Sequence, residues 1–338
     1  MRIFVTGGAG FIGKRVVAQL VAGGHSVLCV VRNPGTAGVV QLGADVAAGT
    51  LRSRPEIERQ MQGADAVVHL AGSYKVGISV PQRPEMYDAN VGTTERVLDA
   101  AVANGVSRIV YVSTINTFGN TKGVVVDETY RRDPADGFLS YYDETKYRAH
   151  LVAEERAAAG APIVIAQPGG VIGPGDPSQV GRQLRQAHDG ALRYLALTDV
   201  GLSFVYVDDV AAGIVAALER GRVGESYVLG GTIGRLKDGL AIAARLAGRR
   251  LPRFGVPVPL LRFVARHGPS GDRLGLPPNL AEIIGASDRV TYWARHDKAA
   301  RELGYAPRAL EAALTDTFDV ERARLAEVAL AAAAAPRA

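Results

Sequence analysis

The sequence predicts an α/β protein, a doubly wound parallel sheet followed by a smaller C-terminal α/β lobe. Short apolar runs alternate with segments of helical periodicity through the first half of the chain, and a glycine-rich turn joins the first run to the first helix. After Pro168 the texture changes to dense Gly and Pro punctuation, which marks where the second lobe begins.

Residues 1–5 are an apolar run, 7–13 are glycine-rich, and Val16, Val17, Leu20 and Val21 follow at helical spacing until Gly23 and Gly24. That order is strand, tight turn, helix. Residues 26–31, 66–70, 108–112 and 163–166 supply further strands, each continuously apolar as in a sheet covered on both faces. Between them, 91–103 and 142–159 read as helices, and the alternation calls for right-handed crossovers between parallel strands. The doubly wound first domain, which the glycine loop considered below makes a dinucleotide-binding one, is therefore placed at 1–168 and a substrate lobe at 169–322. The segment 204–232, which opens on a strand at 204–207, is expected to return to the first domain, and 323–338 is set apart as an Ala-rich tail.

Composition narrows the function. A chain of 338 residues exceeds one compact core, and 47% hydrophobic with 22% charged residues is ordinary for a globular protein. The net charge of +5 is scattered and aromatics make up only 6%, so no nucleic acid partner is expected. The chain opens on a strand rather than a secretory signal, and no apolar stretch reaches ~18 residues, so the expectation is a cytoplasmic protein with no membrane partner. Cys29 lies in an apolar run and reads as a buried structural thiol. The histidines, His25, His69, His150, His188, His267 and His296, form no ligand spacing with Cys or acidic neighbours, so no metal is expected.

Thr6-Gly7-Gly8-Ala9-Gly10-Phe11-Ile12-Gly13 follows a strand and opens a helix, placing glycines where backbone passes close to a pyrophosphate and aiming the helix N-terminus at that charge. This is a Rossmann-type dinucleotide loop. The second strand ends Val31-Arg32-Asn33 with no carboxylate to bond a ribose 2′-hydroxyl, and Arg32 offers a planar, permanently charged fork suited to a 2′-phosphate. That favours NADP(H) and leaves NAD(H) possible. Tyr142 and Lys146 are four residues apart and share one helix face. A phenol with an unperturbed pKa of about 10 needs such a neighbouring cation to act as an acid or base near neutrality.

Taken together, Thr6 to Gly13, His69-Leu70-Ala71-Gly72, Tyr111-Val112-Ser113-Thr114, Tyr142 to Lys146, Pro168-Gly169-Gly170-Val171-Ile172-Gly173-Pro174-Gly175, Phe204 to Val210 and Asp297 to Tyr305 resemble, in order, the extended short-chain dehydrogenases/reductases, or NAD-dependent epimerase/dehydratase family. The resemblance implies a catalytic set in which Tyr142 exchanges a proton with the substrate oxygen, Lys146 holds the nicotinamide ribose and favours the tyrosinate, and Thr114 bonds the reacting oxygen, with Ser113 as its rival. It implies cofactor contacts from Gly7, Gly10, Phe11, Ile12, Gly13, Arg32, Thr50, Leu51, Leu70, Ala71, Gly72, Tyr142, Lys146, Pro168, Gly169 and Val171. Ser73, Tyr74, Thr114 and Tyr206 are its substrate candidates. A homodimer through helices 91–103 and 142–159 follows by the same analogy.

Departures from the family patterns narrow the reaction. Ile115 and Asn116 follow Thr114 where dehydratases of the family carry carboxylates. Gly170, Leu202 and Ser203 stand where sugar-nucleotide epimerases carry an Asn and an Arg, leaving Arg182, Arg185 or Arg193 to meet a diphosphate. Thr50-Leu51 replaces an Asp-Leu pair beside the adenine, and Asp208 and Asp209 read as helix-start residues rather than a catalytic pair. The pattern is most similar to the dihydroflavonol reductase branch. The expectation is an NADP(H)-dependent carbonyl reductase or alcohol dehydrogenase, with an epimerase and a non-catalytic dinucleotide-binding regulator as the alternatives.

Overall fold

Alternate residues of the central strands serve two different cores. Along β1 (Arg2–Thr6), Ile3 and Val5 face one side while Phe4 faces the other, the period-two consequence of a pleated strand buried on both faces. The computed structural model describes residues 1–36, 38–267 and 277–334.

After α1 (Phe11–Ala22) come β2 (Ser26–Val31), β3 (Asp45–Ala48), α2 (Arg54–Met61) and β4 (Ala66–His69). A helical run then comprises α3 (Arg83–Tyr87), a π-helical turn Asp88–Gly92 and α4 (Thr93–Ala103), leading to β5 (Arg108–Val112), α5 (Tyr141–Ala158) and β6 (Ile163–Pro168). The smaller lobe opens with β7 (Gly170–Ile172), α6 (Gln179–Asp189) and β8 (Gly201–Tyr206). α7 (Val207–Arg220) and β9 (Ser226–Leu229) return to the first domain, and β10 (Thr232–Arg235) goes back to the lobe. α8 (Leu236–Leu246), α9 (Val258–His267), α10 (Leu280–Gly285), α11 (Asp297–Leu303) and α12 (Leu310–Ala334) complete the order.

The main sheet has seven strands in the order β3-β2-β1-β4-β5-β6-β9, every pair parallel. Helices α1, α7 and α11 cover one face and α2, α4 and α5 the other, so the sheet is doubly wound. Chain order reverses beside β1, where β2 lies on one side and β4 on the other, and such a switch point opens a crevice at the carboxyl ends of the strands. Cys29 is buried in the first core, where burial pushes its thiol up to about 12.

Two boundaries differ from the sequence expectation. The segment returning to the first domain starts at Val207, because Phe204 to Tyr206 pair in β8 with β7 and β10 in the lobe's own three-stranded sheet. The Ala-rich stretch from 323 is no separate tail in the described residues: it continues α12 to Ala334, as the high helix propensity of alanine favours. Leu310, Ala313, Leu314 and Phe318 near the start of that helix are buried in the lobe core, and Leu325 and Val328 further along are exposed.

Gly13 shows how tightly the loop at the crevice is built, since a Cβ there would lie 2.1 Å from the Gly7 carbonyl oxygen. Gly13→Ala is expected to destabilise the protein by about 1–3 kcal/mol through overpacking, read as a lower Tm; an unchanged Tm would mean that the turn moves freely away from α1.

Candidate active site

Four loops at the carboxyl ends of β1, β4, β5 and β6 build the site. In the first, Gly7 has φ +75°, and a Cβ there would fall 2.6 Å from the Ala71 nitrogen, so the turn after β1 is pressed against the loop after β4. Gly10 caps α1 with no side-chain bond, leaving the first-turn N–H groups of Phe11 and Ile12 as free donors at the positive end of the helix. A backbone cradle that a Cβ would fill, with unpaired donors at its mouth, fits a dinucleotide pyrophosphate. Ile12, Leu70 and Val171, each half-buried, pack at the margin of the first-face core.

At the end of β2, Arg32 is exposed and has no ion-pair partner among the described residues. Lys14, on the first turn of α1, reaches the same loop, its Nζ 3.2 Å from where a Gly38 Cβ would stand. The third strand is followed by Thr50, exposed, and Leu51, whose φ of 59° is left-handed backbone rarely adopted by a leucine. The Leu51 carbonyl accepts from Arg96 Nε at 2.8 Å, and Arg96 in turn pairs with Asp88 at 2.8 Å, which fixes that conformation.

The loop after β4 carries Leu70, Ala71, Gly72, Ser73 and Tyr74. Its backbone is tied down by Asn90: the Ser73 N–H donates to Asn90 Oδ1 at 2.7 Å, and Asn90 Nδ2 donates to the Ser73 carbonyl at 3.1 Å and to Thr145 Oγ1 at 2.9 Å. Asn90 is buried in the π-helical turn, a distortion that recurs at functional sites. His69 is locked between Thr6 Oγ1 at 2.6 Å and Thr94 Oγ1 at 3.1 Å. Burial first, and the Lys146 charge second, pull it down to about 3, so it is neutral.

Ser140 caps α5 by accepting the Asp143 N–H at 3.0 Å, and the buried Asp143 carboxylate meets Arg132 at 3.0 Å, itself almost fully covered. The helix so anchored turns Tyr142 and Lys146 inward together, as their spacing predicts. Lys146 Nζ donates to the Val112 carbonyl at 3.2 Å and the Tyr111 hydroxyl at 3.4 Å, and meets no carboxylate among the described residues. Burial lowers this ammonium to about 8. Burial also raises the Tyr142 hydroxyl above its ordinary value, and Tyr74, packed edge-on at 4.8 Å, adds to the rise, while a hydrogen bond with Thr114 opposes it.

Thr114 sits just past β5. Its Oγ1 accepts the Asn116 N–H at 3.2 Å, and its carbonyl accepts Thr117 Oγ1 at 2.8 Å, which in turn accepts from the buried Gln167 at 3.1 Å. Ser113 is turned away, its hydroxyl 3.0 Å from His150 Nδ1. The structure thus brings Thr114, Tyr142, Lys146 and Tyr74 into one cluster, with Ser73 beside it. Pro168 ends β6 and Gly169 makes the turn to β7, where the Phe11 ring approaches the Gly173 position.

Residues 3–230 match the profile described as the NAD dependent epimerase/dehydratase family. The chain belongs to that family. A Synechocystis sp. protein named for dihydroflavonol 4-reductase is 31% identical over 93% of this chain and 92% of its own. A ketoreductase of Stigmatella aurantiaca, named for 4-hydroxy-2-methyl-3-oxo-4-farnesyl-3,4-dihydroquinoline-1-oxide, is 31% identical over 91% of this chain and 92% of its own. The crystal structure of gox2253 superposes with a TM-score of 0.82 at 31% identity, over 95% of this chain and 98% of that one. As an epimerase/dehydratase family member the chain is a nicotinamide-dependent enzyme of the extended short-chain dehydrogenase/reductase type.

One substrate candidate stands apart from the cluster. Tyr206 is buried in the lobe core beneath the Arg308 guanidinium, 4.1 Å from its ring, and Asp209 holds Arg308 there at 2.8 Å; packing occupies this tyrosine. A cavity of about 1070 Å³ also lies elsewhere, along β9, lined by charges that pair with one another (Asp127 with Arg295, Glu225 with Lys298, Glu302 with Arg222) and by none of the site residues. Sequence reading missed Asn90, Lys14 and the Arg132–Asp143 pair. Asn90 alone left a local sign, a polar residue inside a helical run that must be buried.

Two outcomes follow. Arg132→Met leaves the Asp143 carboxylate buried without its partner and is expected to cost about 3–5 kcal/mol of stability, measured by denaturant unfolding. Because Lys146 is depressed, its positive charge is complete at low pH and lost as pH rises through about 8. The kcat/KM of the nicotinamide-dependent reaction should therefore be flat below that pH and fall above it, and a profile level to pH 10 would contradict the assignment.

Proposed function

We propose that the chain is an NADP(H)-dependent carbonyl reductase or alcohol dehydrogenase acting on a small, largely uncharged ketone, aldehyde or alcohol. The observation that carries this reading is what stands at the two positions used for gripping a nucleotide diphosphate. Gly170 on β7 has no side chain to offer. Ser203 on β8 is fully buried, its hydroxyl donating toward the Tyr292 and Ala294 carbonyls at 3.2 and 3.3 Å and accepting the Ala294 N–H at 3.1 Å. Of the three cations left to meet a diphosphate, two are engaged, Arg182 donating to the Pro177 carbonyl and Gln179, and Arg185 to the Asp176 carbonyl and Glu321, while Arg193 is exposed on the lobe. At Arg182 and Arg185 a diphosphate would have to displace these bonds before being held.

The bound nicotinamide supplies or accepts the hydride. In the reducing direction Tyr142, kept protonated by burial, gives its hydroxyl proton to the substrate oxygen while the Thr114 hydroxyl bonds the same oxygen. Lys146 stabilises the tyrosinate that remains. The covered strand ends around Val112 and Tyr111 exclude water and strengthen that interaction. For the cofactor, Arg32 and Lys14 flank the loop after β2 where no carboxylate ends the strand, which favours the 2′-phosphate of NADP(H).

The test is turnover of NADPH and NADH at equal concentration against ketones, aldehydes and UDP-sugars. NADPH is expected to be consumed with simple carbonyls, with Tyr142→Phe lowering kcat by about 10²–10⁴ and Arg32→Glu shifting preference toward NADH. Configuration change in a UDP-sugar without net cofactor consumption would replace this reading by the epimerase one.

A further inference from the structure

Between Asp238 and Asp272 the sequence contains no carboxylate, yet it holds Arg245, Arg249, Arg250, Arg253, Arg262 and Arg266. Arg245 is paired with Glu311 and Arg262 with Asp288; Arg249, Arg250, Arg253 and Arg266 are exposed without an ion-pair partner among the described residues. Large apolar side chains stand out in the same stretch. Phe254 is 80% exposed, and Leu260 and Phe263, 52% and 63% exposed, lie three residues apart on one face of α9.

A second segment of chain joins them. Leu195 pairs with Gly255 in a short parallel bridge, the Leu195 N–H donating to the Phe254 carbonyl at 2.9 Å and the Val256 N–H to the Leu195 carbonyl at 2.8 Å. Leu195 packs inward on the lobe core, so the register sets Tyr194, 57% exposed, beside Phe254 on the outer face, with exposed Arg193 next to it. Two segments remote in sequence thus present aromatic rings outward within one arginine-rich surface.

We infer that this face of the lobe, Tyr194, Phe254 and the Leu260–Phe263 side of α9 ringed by arginines, docks on an anionic lipid bilayer surface. Exposed aromatic rings that a soluble surface would hide are stabilised at the headgroup boundary, and free guanidinium groups are attracted to a negative leaflet. The charge favours lipid over a second copy of the chain, whose identical face would bring like charges together. The attachment is interfacial, in keeping with the described residues, where no helix is long and apolar enough to cross a membrane. An interfacial partner of this kind departs from the expectation of no membrane partner, which rests on the lack of a secretory signal and of a long apolar stretch. α9, which carries part of this face, is linked to the catalytic helix through its neighbour: it packs on α10, whose Glu282 carboxylate accepts the Tyr141 N–H at 2.8 Å at the head of α5. The inference stands independently of the reaction assigned above.

Sedimentation of the full chain with vesicles of phosphatidylcholine alone, or containing phosphatidylglycerol, tests it. Binding is expected to the anionic vesicles and to weaken with salt. Arg250→Glu with Arg253→Glu should reduce it by roughly thirty-fold or more, at about a tenfold change per 1.4 kcal/mol and ~1 kcal/mol per basic residue. Phe254→Ser with Phe263→Ser should also release the protein, with Tm and turnover of a water-soluble carbonyl unchanged. Absence of binding to anionic vesicles would overturn the inference. So would binding that the phenylalanine variant retains in full, or an exposed-face effect seen only as a change of oligomeric state in the absence of lipid.

Discussion

The burial of one ammonium group without a carboxylate partner is the constraint on which the rest of the site depends. Taking a charge out of water is costly, and an unpaired lysine responds by lowering its pKa. Lys146 does so because it has only a carbonyl, a phenol hydroxyl and the face of the Tyr111 ring, 5.2 Å away, to replace its hydration. The position is dry because β5 lies inside a parallel sheet covered on both faces, so the topology that specifies the fold also sets the protonation of the site. The same burial holds Tyr142 protonated, leaving an acid and a nearby cation whose charge grows in value as the proton leaves.

Such a cluster works only if its members cannot drift, and three buried polar ties hold it from different elements. Asn90 joins the loop after β4 to the catalytic helix, Gln167 and Thr117 hold the backbone of Thr114, and Arg132 grips Asp143 beside Tyr142. Among the side chains of these ties no polar atom is both fully buried and unpaired, which lets them fix geometry without an unmade bond in a low-dielectric interior. Arg132 also lies over the Phe138 and Tyr147 rings at 4.6 and 5.1 Å, so the anchor of α5 is packed as well as paired.

What could be read from the sequence was what is locally encoded. The glycines of the first turn, the strand and helix periods and the four-residue spacing of Tyr142 and Lys146 each depend on neighbours in the chain, and the parallel pairing with right-handed crossovers follows from connection rules. Asn90 and Arg132 belong to contacts 55 and 11 residues apart, and nothing in their own segments announces those partners. The family resemblance implies a substrate contact at Tyr206, but alternation along β8 sends its ring into the lobe core under Arg308. Composition sets the Ala-rich stretch apart as a tail, whereas helix propensity carries α12 through it to Ala334. Arginines 249–266 were legible as residues; that they share a surface with Tyr194 required the pairing of Leu195 with Gly255.

The most direct test is to titrate the lysine side chains by NMR, with the Lys146 resonance assigned from its loss in Lys146→Met. The burial of an unpaired ammonium requires Lys146 to titrate near pH 8, well below the ordinary lysine value of 10.5. A Lys146 resonance that stays charged to that ordinary value would show the ammonium to be hydrated or paired, and would contradict the account of how this fold prepares Tyr142 for proton transfer.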